Sequence, residues 1–178
     1  MLKQTQLILI INIVGGVLVL GGYAWGLITH PYIRDSIWGG IPESWKPYYT
    51  ISMFFAAAGY LTLLYYLTFA EGQTIKPLHG KYGMEFFIVL FTIYLILAAM
   101  WMPSTFKVLE SGNSNWWYLV QFSLWGVALS TLLMTLGLFM ADNISNPSLH
   151  KWATLGSVYV TFHCLVLDAW LWTGKFPQ

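Results

Sequence analysis

Five stretches of the chain, residues 5–28, 48–70, 84–103, 116–140 and 151–173, stay apolar for close to or beyond the ~20 residues that a helix needs to cross hydrocarbon. In that solvent every backbone N–H and C=O must be satisfied within the protein, and for spans of this length the helix is the solution. The predicted fold is an all-α integral membrane protein, a five-transmembrane-helix bundle. All 178 residues form one domain, with the termini on opposite sides. Charged residues are 8% of the chain, where a soluble domain carries about a quarter. The first span is longer than a signal-peptide core and lacks a small-residue cleavage site, which predicts that it is retained.

Threading the chain through a bilayer puts most of its ten tryptophans at one end. Trp38 and Trp45 lie in the first loop, Trp101 at the end of the third span, Trp116 and Trp117 at the start of the fourth, and Trp170 and Trp172 near the C-terminus. Trp152 marks the other side. An aromatic belt anchors both interfaces, so the one-sided excess reads as the mouth of a site. The first loop, rich in proline and aromatics, is expected to fold over that mouth with Trp45 buried. Lys3, Lys76, Lys81 and Lys151 face Arg34, Lys46, Lys107 and Lys175 across the membrane, so the positive-inside count ties and orientation stays open. Without a basic run, nucleic acid is excluded as a partner. Cys164 is the one cysteine, so the chain forms no internal disulfide.

Within the spans, small and polar residues fall in stripes. Asn12, Gly15, Gly22 and Gly26 form one on the first span, and Ser52, Ala56, Gly59 and Leu63 another on the second. Such stripes let helices approach closely, here within the monomer or at a homodimer face. The second loop, with Gly72, Pro77, Gly80 and Gly83, reads as a turn region. Glu85 sits near the start of span three, where it complements the helix dipole. Pro103 is expected to stop or kink that span. Gln121 lies one turn inside span four, and Ser148 is the expected N-cap of span five. Span five is the most polar, with Ser157, Thr161, Cys164 and Asp168 in one stripe that should face inward. An ionisable group inside a span is a site candidate. At ~100° per residue His163 lies about 140° round the helix from Asp168, so no His–Asp relay is expected within it. His163 is read as hydrogen-bonded to a neighbouring helix.

No phosphate loop, nucleotide fingerprint, zinc motif or nucleophile elbow occurs, and the four histidines suggest no metal site. Three local patterns instead resemble the translocator protein family, also called tryptophan-rich sensory proteins: PESWKP from Pro42 to Pro47, AAAGY from Ala56 to Tyr60, and WMPSTF from Trp101 to Phe106. The chain departs from the family pattern in a shorter Trp45–Gly59 interval, in Ala98 and Ala99 where an asparagine is expected, and in the signature of span five. The resemblance implies binding of a porphyrin or sterol-like ligand. The expected function is binding or transport of a flat apolar small molecule (tetrapyrrole, sterol or other lipid) through the Trp-rich face. The expected ligand-binding residues are Trp38, Trp45, Pro47, Tyr60, Trp101, Pro103, Phe106, Trp116, Trp117, Gln121, His163 and Asp168. The rival reading is a non-catalytic accessory subunit whose aromatic face docks to a larger membrane complex. An intramembrane enzyme using Asp168 is a third.

Overall fold

A computed structural model describes residues 3–70 and 74–176; Gly72 of the second loop lies outside them. Among the described residues five helices are long and apolar enough to cross a membrane. They are α1 (Gln4–Thr29), α2 (Lys46–Tyr65), α3 (Glu85–Ser111), α4 (Ser114–Phe139) and α5 (Pro147–Phe162). α2 runs on through a π turn, Tyr66–Ala70, and α5 through a longer π-helix, His163–Trp172, before a last α turn, Thr173–Lys175.

Three boundaries differ from expectation. Pro103 does not end α3, which continues to Ser111 and stops where Gly112 adopts a left-handed conformation (φ 62°) and donates its N–H to Val108 O. The third loop then shrinks to two residues, because Asn113 caps α4 at once by accepting from the Asn115 N–H at 2.9 Å. The N-cap of α5 is Asn146, not Ser148; its side chain accepts from the Leu149 N–H and Pro147 takes the first helical position, where its missing N–H costs nothing. Glu85 does act at the start of α3, by accepting from the Gly83 N–H at 2.7 Å.

Packing follows the small residues. The α1 stripe lies on α3 within the chain: a Cβ at Gly15 would meet Leu95, and one at Gly26 would meet Phe106. The α2 stripe lies on α5, where Gly59 and Gly156 bring the two backbones together. α3 packs along α4, and α4 along α5. Thr135 Oγ1 of α4 donates to Thr131 O and meets the hydroxyls of Ser157 and Thr161 on α5, at 2.6 and 2.9 Å. Going round the bundle the order is therefore α1, α3, α4, α5, α2, and the ring is left open between α2 and α1, which make no extended contact. The π turn after α2 closes that seam at one end, where Tyr66 and Leu67 join Ile8 in a core with Phe87, Phe91 and Leu138. The second core, at the other end, holds Trp117, Trp172, Phe176 and Val120. Outward faces are apolar, with Val17, Leu20, Phe54, Leu61, Phe122 and Leu129 all exposed.

The first loop is folded, as its prolines and aromatics suggest. It runs through two 3-10 turns, Arg34–Trp38 and Glu43–Trp45, and is held to the last turns of the fifth span, at the end of the π-helix and beyond it. The Trp172 Nε1–H donates to Ile37 O and the Gly40 N–H to Lys175 O, each at 2.9 Å. A Cβ at Gly40 would collide with that same carbonyl oxygen, so the docking needs glycine there.

Candidate functional site: a cavity inside the bundle

The open seam leads into a cavity of about 550 Å³ walled by all five helices and the first loop. α1 contributes Asn12, Gly16, Val19 and Tyr23, and α2 contributes Tyr49, Met53, Ala56 and Tyr60. The back wall is Tyr94, Ala98 and Trp101 of α3 with Leu124 and Val127 of α4. The α5 segment supplies Val160, His163, Cys164, Asp168 and Trp172, and the loop adds Ile37 and Trp38. Ile13 and Leu20 on α1 and Met53 and Leu61 on α2 both border the cavity and lie exposed on the outer surface. The opening is thus lateral, through the apolar flank, and the first loop roofs one end of the cavity. One polar bridge crosses the seam: the Tyr60 hydroxyl donates to Asn12 Oδ1, while Asn12 Nδ2 donates to Ile8 O at 2.7 Å.

The polar groups gather towards the end roofed by the loop. His163 Nδ1 lies 2.9 Å from Ser52 Oγ on α2, which also meets the Tyr159 hydroxyl at 3.1 Å. The expected bond from His163 to a neighbouring helix is therefore present. The expected separation of His163 from Asp168 is not: His163 Nε2 stands 3.6 Å from Asp168 Oδ2. The reason is the π-helix. Its i→i+5 hydrogen bonds widen the turn, so residues five apart return to one face, whereas an α-helix would splay them. The widening also divides the polar stripe of span five, with Ser157 and Thr161 bonded to α4 while Cys164 and Asp168 line the cavity.

Serine, histidine and acid in line are the components of a hydrolytic triad, but the geometry is not one. The 3.6 Å gap is longer than a hydrogen bond, and Ser52 is buried in the α2–α5 interface and does not border the cavity. Among the described residues no group of histidine, cysteine and carboxylate is placed to hold a metal ion.

Of the residues expected from the sequence, Trp38, Tyr60, Trp101, His163 and Asp168 line the cavity. The others lie elsewhere. Trp45 is 42% exposed, against the expectation that it is buried, because the loop turns its indole outward beneath Lys175, whose Nζ lies 5.3 Å from the ring centroid. Pro47 is exposed in the first turn of α2, and Trp116 faces outward on α4. Trp117 is buried behind the cavity, stacked on Phe176 at 4.8 Å. Phe106 is fully buried against α1, stacked on His30 at 4.4 Å. Pro103 lies within the contact of α3 with Gly22, and Gln121 is half-buried on α4, outside the lining.

The expected ligand-binding residues did not include Tyr23, Tyr49, Tyr94 and Trp172, although Trp172 belongs to the tryptophan-rich face read as the mouth of the site. A signal existed: Asn12, Gly16, Val19 and Tyr23 are spaced 4, 3 and 4 apart, a stripe beside the glycine stripe that packs on α3. The indole Nε1 of Trp101 is buried without a hydrogen-bond partner, an unspent donor on a cavity-lining side chain. Comparison with known proteins finds no matching family model, no matching curated protein and no matching solved structure.

Proposed function

We propose that this chain is a multi-pass membrane protein that binds a flat apolar small molecule, a tetrapyrrole, sterol or other lipid, which enters from the bilayer between α1 and α2. The observation that carries this reading is the cavity. Its ~550 Å³ falls in the range of small-molecule sites, and aliphatic and aromatic side chains make up most of its wall. Its lips, Ile13, Leu20, Met53 and Leu61, are apolar and exposed on the flank that a bilayer would cover, so a lipid-dissolved ligand would reach it without crossing water. Aromatic walls suit a flat ligand because rigid rings offer large contact areas at low entropic cost. The resemblance of PESWKP, AAAGY and WMPSTF to translocator proteins points the same way; of these motifs, Tyr60 and Trp101 line the cavity and Phe106 does not.

The test is saturable quenching of tryptophan fluorescence in protein purified into nanodiscs, titrated with cholesterol analogues and with protoporphyrin. Trp38, Trp101 and Trp172 border the cavity, so a bound ligand should quench a fraction of the emission that Trp101→Phe reduces. A protein that binds neither ligand and co-purifies in fixed ratio with other subunits would instead support the accessory-subunit reading, for which the outward-facing Trp45, Trp116 and Trp170 would be the docking face.

A further inference from the structure

We propose that the ligand of this cavity carries a cationic nitrogen, a protonated amine or quaternary ammonium on an apolar body, with Asp168 as its counter-ion. This rests on the binding function proposed above and names the class of ligand. The argument is a charge inventory. Among the described residues lining the cavity, Asp168 is the one carboxylate and none is Lys or Arg. Its nearest ionic neighbour, His163, is 3.6 Å away, beyond hydrogen-bond range, and the other ring nitrogen of His163 is engaged by Ser52. The Asp168 side chain retains 32% of its accessible surface, against 8% for His163. The His163 imidazole and the Tyr23, Tyr49 and Tyr94 hydroxyls share the lining with Asp168, but no hydrogen bond to its carboxylate is formed among the described residues. An ionised carboxylate within a span is costly without a partner, and a ligand cation would supply one.

The walls near that carboxylate fit the same guest. Trp172 lies one turn beyond Asp168; Trp101 packs on Trp172 with ring centroids 5.8 Å apart, and Tyr23 packs on Trp101 at 5.5 Å. Trp38 and Tyr49 form an edge-to-face pair in the same lining. Aromatic faces attract ammonium groups, most of all when water is excluded. The protein's own cations near this end do not fill the role: Lys46 and Lys175 lie over Trp38 and Trp45, and neither borders the cavity. A ligand ending in a carboxylate, such as a fatty acid or a porphyrin with free propionates, would meet Asp168 and, among the described lining residues, no Lys or Arg.

Three sterols that share one ring system and differ at carbon 3, bearing an amine, the hydroxyl of cholesterol or a hemisuccinate, decide the matter. Each is titrated into the protein in phosphatidylcholine nanodiscs against a fluorescent sterol excited by energy transfer from tryptophan. The amine should bind at least tenfold tighter than cholesterol, and the hemisuccinate weakest. Asp168→Asn should bring the amine-to-cholesterol ratio close to one, and Asp168→Glu should preserve the preference. Cholesterol binding with no advantage for the amine, or an advantage that survives Asp168→Asn, overturns the assignment of the cation while leaving the binding function standing. Failure of all three sterols and the fluorescent probe to bind overturns both. If Asp168→Asn does not fold, the three-sterol series on the unmodified protein still decides.

Discussion

Gly59→Ala tests the contact on which the cavity's shape depends. A Cβ at Gly59 would lie 2.5 Å from Gly156 O and 3.0 Å from Gly156 C and Cα, where ordinary contact begins at 3.4 Å. The overlap is about 0.9 Å, and the opposing atoms are backbone in the middle of a helix, so no side chain can swing aside. α2 and α5 must move apart. Overpacking of this kind costs about 1–3 kcal/mol, which for a chain of this size lowers Tm by roughly 2–12 °C. The same displacement would stretch the 2.9 Å contact between Ser52 and His163 and shift Tyr60 against the seam. Thermal unfolding of detergent-purified protein, followed by tryptophan fluorescence, measures the effect. Gly21→Ala is the internal comparison: nothing lies within 4 Å of its Cβ on the exposed face of α1, so helix propensity alone should raise stability by up to ~1 kcal/mol. Equal shifts of the same sign in the two variants would refute the close-contact argument.

Two further substitutions probe the supports of the site. Thr135→Val keeps the shape of the side chain but leaves the hydroxyls of Ser157 and Thr161 without their shared partner between α4 and α5, and should cost about 1–3 kcal/mol in the same unfolding assay. Trp172→Phe removes the indole N–H that holds Ile37 O and so loosens the first loop from α5; trypsin should then cut after Arg34 several-fold faster than in the unmodified protein, and unchanged cleavage would mean that the Gly40–Lys175 bond alone holds the loop.

The span count, the alternation of sides and the folded first loop were legible because each depends on local properties of the chain. A run of apolar residues such as 5–28 must be a helix in hydrocarbon wherever its neighbours lie, and a proline-rich loop with three aromatics, Tyr32, Trp38 and Trp45, restricts itself. The helix-contact stripes were legible for the same reason: Gly15 and Gly26, or Ser52 and Gly59, mark a close approach by their size alone. Which helix each stripe would meet was not, since nothing local to α1 says that it packs on α3 and stands apart from α2. The cavity is a product of that choice. It lies where two neighbouring faces fail to meet, so Tyr23 and Tyr94 border it while Trp117, equally aromatic, fills the core behind it and Phe106 packs against α1. Helix ends were misjudged at Pro103 and Ser148 because caps were decided by Gly112 and Asn146, residues whose role depends on the backbone turn that follows. The largest revision, His163 beside Asp168, came from a change of helical period. Residue spacing determines relative angle only once the hydrogen-bond pattern is known, and it is the tertiary structure, with α5 carried through a π-helix between the α4 contacts and the first loop, that puts an imidazole and a carboxylate on the same wall.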